Sequence, residues 1–237
     1  MSTSLWQLFL HFISRSVVFA RTDCPQLKDL VDIIEYVKPT ALFGLSTTKG
    51  AFDREVVEAM AMLNERPILF PLSNPVSLCE LDFEDAIAWT DGQAIFASGS
   101  PYKPVTYKGK EYFAGQGALS RSSVPVSRHL QSMSSGNNMY VFPGIGLGAA
   151  LGRSSIITDS MVTTASLSLA SSLTAEEHAA GLIYPRITRI REISAQIATD
   201  VLLEARKEKL NTNSAVASLR DDQVLPWVKA RMWNPVI

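Results

Sequence analysis

Short apolar runs alternate with amphipathic helical patterns in the first half of the chain, and this alternation constrains the fold more than any other feature. The apolar runs, in chain order, are TALFGLS, RPILFPLSNP and QAIFASGSP. The helical patterns before and between them are QLKDLVDIIEYVKP, DREVVEAMAML and FEDAIAWTDG. Because short connections between such elements favour parallel strands joined by crossover helices, we predict an α/β fold with a partial, doubly wound parallel sheet.

Small polar residues directly follow each predicted strand. The three segments are Gly44-Leu45-Ser46, Ser73-Asn74-Pro75 and Ser98-Gly99-Ser100. In open parallel sheets, ligands bind outside the carboxyl ends of the strands. Ordinary turns use the same residue types, so one such segment alone would indicate little. Three in succession predict a ligand-binding edge.

The chain beyond Asn138 has the pattern of helices rather than of strands. Helical spacing runs from about Ile156 to Leu173, and Thr174 with Glu177 has the sequence signature of a capping box. A long amphipathic pattern then extends from Ile187 to Leu210. We therefore predict that the sheet is followed by a helical C-terminal extension.

A glycine-rich stretch, NMYVFPGIGLGAALG, has some features of a dinucleotide-binding loop. Such a loop requires a strand that leads directly into the first glycine, and Pro143 interrupts that approach. It also requires an acidic residue about twenty positions later at the end of a second strand, whereas Asp159 comes too early and in a helical context. Close packing of a helix through small residues explains these glycines better.

No metal site or catalytic constellation can be assembled from the sequence. The three histidines, His11, His129 and His178, have no further ligand at a metal-binding spacing. The chain contains no G-x-S-x-G elbow, and Ser46-Thr47-Thr48-Lys49 matches S-x-x-K without the partner motifs of that site. We therefore predict a ligand-binding half-site with no catalytic residue and no metal ligand of its own.

Charge and cysteine content indicate which binding partners and which cellular compartment to expect. The formal net charge of -1 gives no electrostatic reason to expect nucleic acid or an anionic membrane as a partner. Cys24 and Cys79 lie far apart and form no C-x-x-C motif, which is typical of a reducing intracellular compartment. Residues 1–18 carry no convincing targeting signal. We expect the protein in the cytoplasm or the mitochondrial matrix.

Three segments of the sequence resemble malic enzymes. They are VKPTALFGLSTTKGAFDREVVEAMAMLNERPILFPLSNP, WTDGQAIFASGSPYKPV, and FAGQG followed after a gap by NNMYVFPGIGLGAAL. They occur in the same order as in that family, and the resemblance extends from about Phe19 to the C-terminus. It implies the second half of a Rossmann-type NAD(P)-binding domain, followed by the family's helical C-terminal region.

The resemblance implies oxidoreductase chemistry. Malic enzymes oxidise malate to pyruvate and carbon dioxide, reduce NAD or NADP, use a divalent metal ion (Mg or Mn) and are usually homo-oligomers. The family's lysine base, tyrosine acid, metal-binding carboxylates and first glycine-rich loop lie upstream of the matching region, and we find no counterpart in this chain. Two hypotheses follow: a NAD(P)-binding domain involved in this reaction, or a catalytically inactive fragment that serves as a binding or assembly module.

The resemblance also assigns residues to the predicted ligand-binding edge. Asn74 and Asn138 match the two family asparagines that contact malate, and a neutral amide can donate to a carboxylate and accept from a hydroxyl without titrating. The residues expected to contact the nicotinamide cofactor are Gly44, Leu45, Ser46, Ser73, Asn74, Gly99 and Asn137. NAD and NADP cannot be distinguished here, because the ribose-binding residue follows a strand that lies upstream.

The resemblance divides the chain into three parts with one insertion. Residues 1–18 form a leader that does not match the family, 19–152 correspond to part of the NAD(P)-binding domain, and 153–237 form the helical C-terminal part. The family joins Gly-Gln-Gly almost directly to Asn-Asn, so the serine-rich residues 118–136 are extra. They are interpreted as a flexible surface insertion, a regulatory segment with phosphorylation sites, or a retained in-frame intron. We expect that this insertion loosens Asn138 and that its removal restores a family-like connection.

Overall fold

A computed structural model describes residues 23–100, 102–115, 136–179 and 181–234. The chain divides into two units, Met1–Lys38 and Pro39–Ile237. Within the described ranges, no helix is both long and apolar enough to cross a membrane. The predicted leader, residues 1–18, lies outside the described residues, and so does the insertion except for Gly136.

The first unit contributes one described helix, α1 (Leu30–Val37). It begins where the Asp29 carboxylate accepts a hydrogen bond of 2.8 Å from the backbone N–H two residues later. It ends at Lys38, whose left-handed backbone (φ 52°) closes the last turn. The predicted helical pattern QLKDLVDIIEYVKP is confirmed as a helix, which begins after Asp29 because Asp29 caps it and ends before Pro39.

The second unit opens with the predicted parallel sheet. Its strands and crossover helices, in chain order, are β1 (Ala41–Gly44), α2 (Arg54–Leu63), β2 (Ile68–Pro71), α3 (Phe83–Trp89) and β3 (Ile95–Phe96). The strand order is β1-β2-β3, and both neighbouring pairs are parallel. The α/β fold with a partial parallel sheet is therefore confirmed.

Each crossover helix buries one apolar face. Asp53 caps α2 by accepting a hydrogen bond of 3.0 Å from Val56 N–H. The buried residues are Val56, Val57 and Met60 on α2 and Phe83, Ala86 and Ile87 on α3. The Phe83 ring packs against Phe96 of β3, with ring centroids 4.8 Å apart. This contact fixes α3 against β3 and so fixes where β3 ends.

A short antiparallel hairpin follows the sheet, and the sequence interpretation did not include it. It pairs β4 (Val105–Tyr107) with β5 (Lys110–Tyr112) through the turn Lys108-Gly109. Both turn residues have positive φ (48° and 75°), as the primed two-residue hairpin turns require. The strands are three residues long, which is too short for alternation to identify them.

The C-terminal part is helical, as predicted. Its helices are α4 (Phe142–Gly152), α5 (Asp159–Ser171), α6 (Ala175–Ala179), α7 (Ile190–Lys207), α8 (Ser214–Ala217) and α9 (Asp221–Lys229). Short 3-10 turns lie at Val76–Leu78, Asn138–Tyr140 and Ile187–Arg189. The predicted capping box is present, because Thr174 N–H donates to the Glu177 carboxylate and Glu177 N–H donates to the Thr174 hydroxyl.

Glycines of α4 let this helix pack directly on α7. A side chain at Gly144 would place its Cβ 2.5 Å from Cγ2 of Ile197, and one at Gly148 would place it 2.7 Å from the carbonyl oxygen of Ala198. On the α7 side, Ile197 and Val201 are fully buried. The glycine-rich stretch is therefore a helix-packing surface, as the sequence interpretation favoured.

Candidate functional site

The carboxyl ends of β1, β2 and β3 lie side by side and carry the residues predicted to bind a ligand. β1 ends at Gly44, whose carbonyl oxygen accepts a hydrogen bond of 2.8 Å from Leu72 N–H, directly after β2. The ends of β2 and β3 approach closely, since a Cβ on Gly99 would lie 2.5 Å from Nδ2 of Asn74. We call the three turns, residues 44–47, 72–75 and 97–100, the ligand edge.

Glu80 joins the ends of β1 and β2, although it belongs to neither strand. Its side chain is fully buried. Oε1 accepts hydrogen bonds from the backbone N–H (2.7 Å) and the hydroxyl (2.9 Å) of Ser46, and from Thr47 N–H (3.2 Å). The Ser73 hydroxyl donates to the same oxygen at 2.6 Å and accepts from Thr47 N–H at 2.9 Å. One carboxylate oxygen therefore holds the turn after β1 against the turn after β2.

The Glu80 carboxylate carries its charge without a cation. Within the part of the chain that the structure describes, no Lys or Arg forms an ion pair with it. Burial raises the pKa of Glu80, but the hydrogen bonds, that from Ser73 foremost, outweigh burial and hold the pKa below its usual value. Oε2 is buried without a hydrogen-bond partner among the described residues, and a Cβ on Gly44 would lie 2.6 Å from it. The glycine therefore leaves room for the carboxylate.

The turn after β1 has an uncommon backbone conformation. Thr47 has φ 55°, in the left-handed region that β-branched residues rarely adopt. The preceding residues, Leu45 and Ser46, are exposed, Leu45 to 75%. The turn keeps its shape without burying an apolar side chain of its own, so the hydrogen bonds to Glu80 and Ser73 supply the restraint.

The Asn74 amide has a defined orientation. The Ser100 hydroxyl donates a hydrogen bond to Oδ1 of Asn74. Nδ2 lies against Gly99 and makes no hydrogen bond with any residue that the structure describes. Asn74 itself is exposed. Its two N–H groups are therefore available at the ligand edge, where they suit an oxygen acceptor such as a carboxylate or a carbonyl.

The two asparagines that follow the predicted insertion have different surroundings. Asn137 is engaged at both ends of its amide: Nδ2 donates to Gly99 O at 3.0 Å, and Oδ1 accepts from Met139 N–H at 2.9 Å. Asn138 is exposed and begins a 3-10 turn. Asn137 therefore ties the end of β3 to the segment that presents Asn138.

A cavity of about 430 Å³ lies beside this asparagine pair. Its wall includes Phe70 of β2, Leu169 of α5 and Tyr184, together with Asn137 and Asn138. A mostly apolar wall with a few polar groups is typical of small-molecule sites. The cavity therefore extends the ligand edge toward the helical part of the same unit.

The predicted site residues lie at the ligand edge or beside this cavity, and the sequence interpretation missed Glu80, which holds two of the three turns together. Ser98 and Ser100 fix the turn after β3, since the Ser98 hydroxyl donates to Ser100 O. Glu80 is separated from Ser46 by 34 positions and lies in an irregular connection, where no periodic pattern marks it. The one available signal was an acidic residue set between the apolar residues Cys79 and Leu81.

The described residues do not offer a fitting site for a divalent metal. They contain no group of three or more His, Cys, Asp or Glu side chains that could hold a metal ion. Glu80, the acidic residue at the ligand edge, is already engaged by the strand-end donors through Oε1. We assign no chemical step to a metal.

A sequence profile of the malic enzyme NAD binding domain matches residues 4–120 and 121–206. The two matched stretches meet inside the predicted insertion. Among solved structures, the crystal structure of Entamoeba histolytica malic enzyme matches with a TM-score of 0.64 at 23% identity, covering 97% of this chain and 39% of that chain. This likeness confirms the Rossmann-like architecture of the described sheet and helices.

Curated relatives carry the corresponding name. The NADP-dependent malic enzyme of Dictyostelium discoideum is 43% identical over 224 residues, which are 94% of this chain and 37% of the relative. The NADP-dependent malic enzyme of Vitis vinifera is 39% identical over 210 residues, 89% of this chain and 32% of the relative. The chain thus spans roughly a third of the length of these relatives. Because the profile covers most of its residues, the chain belongs to the malic enzyme family.

Proposed function

We propose that the chain forms part of a nicotinamide-binding domain and binds NADP at the ligand edge. Family membership supports this, and the relatives named as NADP-dependent favour NADP over NAD. The geometry supports it too, because three small polar turns meet at the carboxyl edge of a parallel sheet. The reaction proposed for the whole protein is oxidative decarboxylation of malate to pyruvate, in which bound NADP accepts the hydride.

The orientation of Asn74 carries the proposal. Because the Ser100 hydroxyl occupies Oδ1, the two N–H groups of Nδ2 remain for a ligand. These donors match the carboxamide oxygen of a nicotinamide ring and the carboxylate of malate, which are both acceptors. Gly99 contributes by lacking a side chain, since a Cβ there would displace the amide.

We assign the two asparagines of the pair different tasks. Asn138 is exposed beside the cavity, and it is the proposed second malate contact with Asn74. Asn137 has both ends of its amide engaged, so its proposed task is to hold Asn138 and the turn after β3 in place. Of the other proposed cofactor contacts, Ser46 and Ser73 direct their hydroxyls to Glu80, and they contribute to the shape of the edge rather than through those hydroxyls.

Titration with NADP⁺ tests the proposal on the full chain. We expect the wild-type chain to bind NADP⁺ in calorimetry, and Asn74→Ala to weaken binding about tenfold because its donors are lost. Ser100→Ala frees the amide to rotate and should weaken binding about fivefold, as expected for one neutral hydrogen bond. Ser218→Ala removes an exposed hydroxyl after α8 and serves as the matched control with unchanged affinity.

The outcomes separate the parts of the proposal. A folded wild-type chain that binds no NADP⁺ would overturn cofactor binding. Binding that both edge variants leave unchanged would overturn the assignment to the ligand edge. A parallel titration with NAD⁺ decides the choice of cofactor, and malate-dependent formation of NADPH with Mn²⁺ present tests the reaction in this chain.

A further inference from the structure

We propose that Glu80 is a positioning residue, whose carboxylate locks the turns after β1 and β2 into one rigid cofactor-contacting edge. That this edge contacts a cofactor rests on the proposed function, whereas the hydrogen bonds that join the two turns are observed in the structure. Among the described residues, Glu80 forms no hydrogen bond with Asn74 or Asn138, and it does not line the cavity beside Asn138. Its effect would pass through Ser46, Thr47 and Ser73.

The hydrogen bonds to Oε1 are the first step of the inference. Four donors from two strand ends converge on this single oxygen, two of them from Ser46. Thr47 N–H and the Ser73 hydroxyl also bond to each other, which closes a ring of polar contacts between the turns. Loss of the acceptor would leave the Ser46 backbone N–H without its partner and would open this ring.

The second step is the chemistry of the group at this position. A carboxylate accepts hydrogen bonds on both oxygens and donates none. In an amide at this position, the nitrogen would take the place of Oε2, which is buried against Gly44 with no acceptor among the described residues. A buried donor without a partner is unfavourable, so glutamine is a poor replacement even though it has the same shape.

The third step is where the restraint acts. The turn after β1 is exposed at Leu45 and Ser46, and it contributes no apolar side chain to the core there. Its Thr47 nevertheless has a left-handed backbone that a β-branched residue adopts only under restraint. A fully buried carboxylate that holds an exposed and strained turn stabilises a shape at the ligand edge rather than a contact in the core.

Hydrogen exchange without cofactor tests the lock directly. In Glu80→Gln, the amides of Ser46 and Thr47 should exchange at least about tenfold faster than in wild type, because a neutral amide oxygen accepts more weakly than a carboxylate and the new NH₂ group is buried without an acceptor among the described residues. Glu177→Gln is the matched control: Glu177 is equally buried and takes three hydrogen bonds, but lies in the helical part. It should leave exchange at the turn unchanged, even where it lowers global stability more than Glu80→Gln does.

Titration with NADP⁺ then tests the consequence for binding. We expect Glu80→Gln to weaken NADP⁺ binding about tenfold and Glu177→Gln to leave it unchanged, with both chains folded at the temperature of measurement. If Glu80→Gln does not fold, Ser46→Ala removes one donor from an exposed side chain, and it should accelerate exchange at Thr47 by a smaller factor.

Two results would overturn the inference. One is unchanged exchange at Ser46 and Thr47 in the Glu80 variant, or in Ser46→Ala where that variant replaces it. The other is NADP⁺ affinity that falls equally in the Glu80 and Glu177 variants, since that would indicate a general loss of stability. A wild-type chain that binds no NADP⁺ would overturn the proposed function alone, because the exchange measurement needs no cofactor.

Discussion

Two carboxylates are fully buried in the described part of the chain, Glu80 at the sheet edge and Glu177 in the helical part. Glu177 accepts hydrogen bonds from Thr174 N–H (2.9 Å) and Arg186 N–H (2.9 Å), and forms an ion pair with the Arg189 guanidinium at 2.7 Å. Glu80 has hydroxyl and backbone donors, and no described Lys or Arg forms an ion pair with it. Burial raises the pKa of each carboxyl, but hydrogen bonds outweigh it and hold both pKa values below the usual value, for Glu177 together with the positive charges of Arg189 and Arg186.

The difference between the two carboxylates lies in what each one holds. Glu177 joins the start of α6 to the segment that leads into α7, and α7 buries the core of the helical part. Glu80 holds an exposed turn that contributes little to the core. The same device therefore stabilises the fold in one region and the shape of a site in the other. Substitutions in the helical part should therefore lower mainly the free energy of unfolding, and substitutions at Glu80 should lower mainly the cofactor affinity.

Replacement of Glu177 by Ala should have the largest effect on stability. It removes the buried partner of Arg189 and strands three donors, and the loss of a buried pair typically destabilises by about 3 kcal/mol or more. Urea denaturation followed by circular dichroism measures it. Glu192→Ala, which removes an exposed partner of the same arginine, should change the unfolding free energy by less than about 0.5 kcal/mol. Similar effects for the two variants would refute the assigned importance of Glu177.

Overpacking between α4 and α7 should have the next largest effect on the free energy of unfolding. Gly148→Val places a branched side chain where even a Cβ would be 2.7 Å from Ala198 O and 3.0 Å from Val201. We expect a loss of about 2–3 kcal/mol of unfolding free energy, because backbone on the α7 side cannot move away easily. NADP⁺ affinity of the folded chain should stay unchanged. If NADP⁺ affinity also falls at temperatures where the variant is folded, the helical part and the ligand edge are not independent.

Acidification should destabilise both regions, and by less than removal of a side chain, because a protonated carboxyl still fills its space. Both glutamates have folded-state pKa values below their usual value of 4.5, so the unfolded chain binds more protons. Their contribution is fully present above about pH 4.5, and is lost as the pH falls through the folded-state pKa. Urea denaturation at pH 7 and at successively lower pH should show this decline. Glu80→Gln and Glu177→Gln should each make the decline of the unfolding free energy with falling pH less steep. A variant with an unchanged pH profile would show that its glutamate does not contribute to this decline.

The sequence predicted the elements better than the contacts that position the site. Apolar periodicity identified α2 and α3, and the capping-box signature of Thr174 and Glu177 identified where α6 begins. The short strands of the hairpin were missed because three residues give no usable alternation. Glu80 was missed for a different reason: its role depends on the pairing of β1 with β2, which brings Ser46 and Ser73 to the same oxygen. No local pattern encodes that convergence.

The backbone on both sides of the predicted insertion pairs with the end of β3 and the turn after it. Gly115 N–H donates to Phe96 O at 2.8 Å, and Gly136 N–H donates to Ser98 O at 2.7 Å. The two glycines therefore pair with positions two residues apart along the same stretch of backbone. This is the spacing of successive hydrogen bonds in a parallel ladder, although the glycines are separated by twenty residues in the sequence.

Deletion of residues 118–136 should therefore be tolerated and should stabilise the sheet edge. In the shortened chain, Gly117 follows Gly115 by two positions and can take the place of Gly136 in register. We expect the unfolding free energy to rise by about 1–2 kcal/mol, because a shorter connection loses less entropy on closure. Hydrogen exchange at Asn138 should slow if the insertion loosens it. Equal exchange at Asn138 in the two forms would contradict the prediction that the insertion loosens this residue. A loss of stability would contradict the replacement of Gly136 by Gly117 in the hydrogen-bond register.

Substitution of Gly146 should have the smallest effect on the free energy of unfolding, and it serves as a control for the packing of α4 on α7. Gly146 lies in α4 between Gly144 and Gly148, but a Cβ at this position would meet no atom of the described residues within 4 Å. Gly146→Ala should therefore stabilise the chain by about 0.5–1 kcal/mol, since alanine restricts the unfolded chain and favours the helix. Thermal and urea unfolding measure the sign. Destabilisation would contradict an open side of α4 at this position.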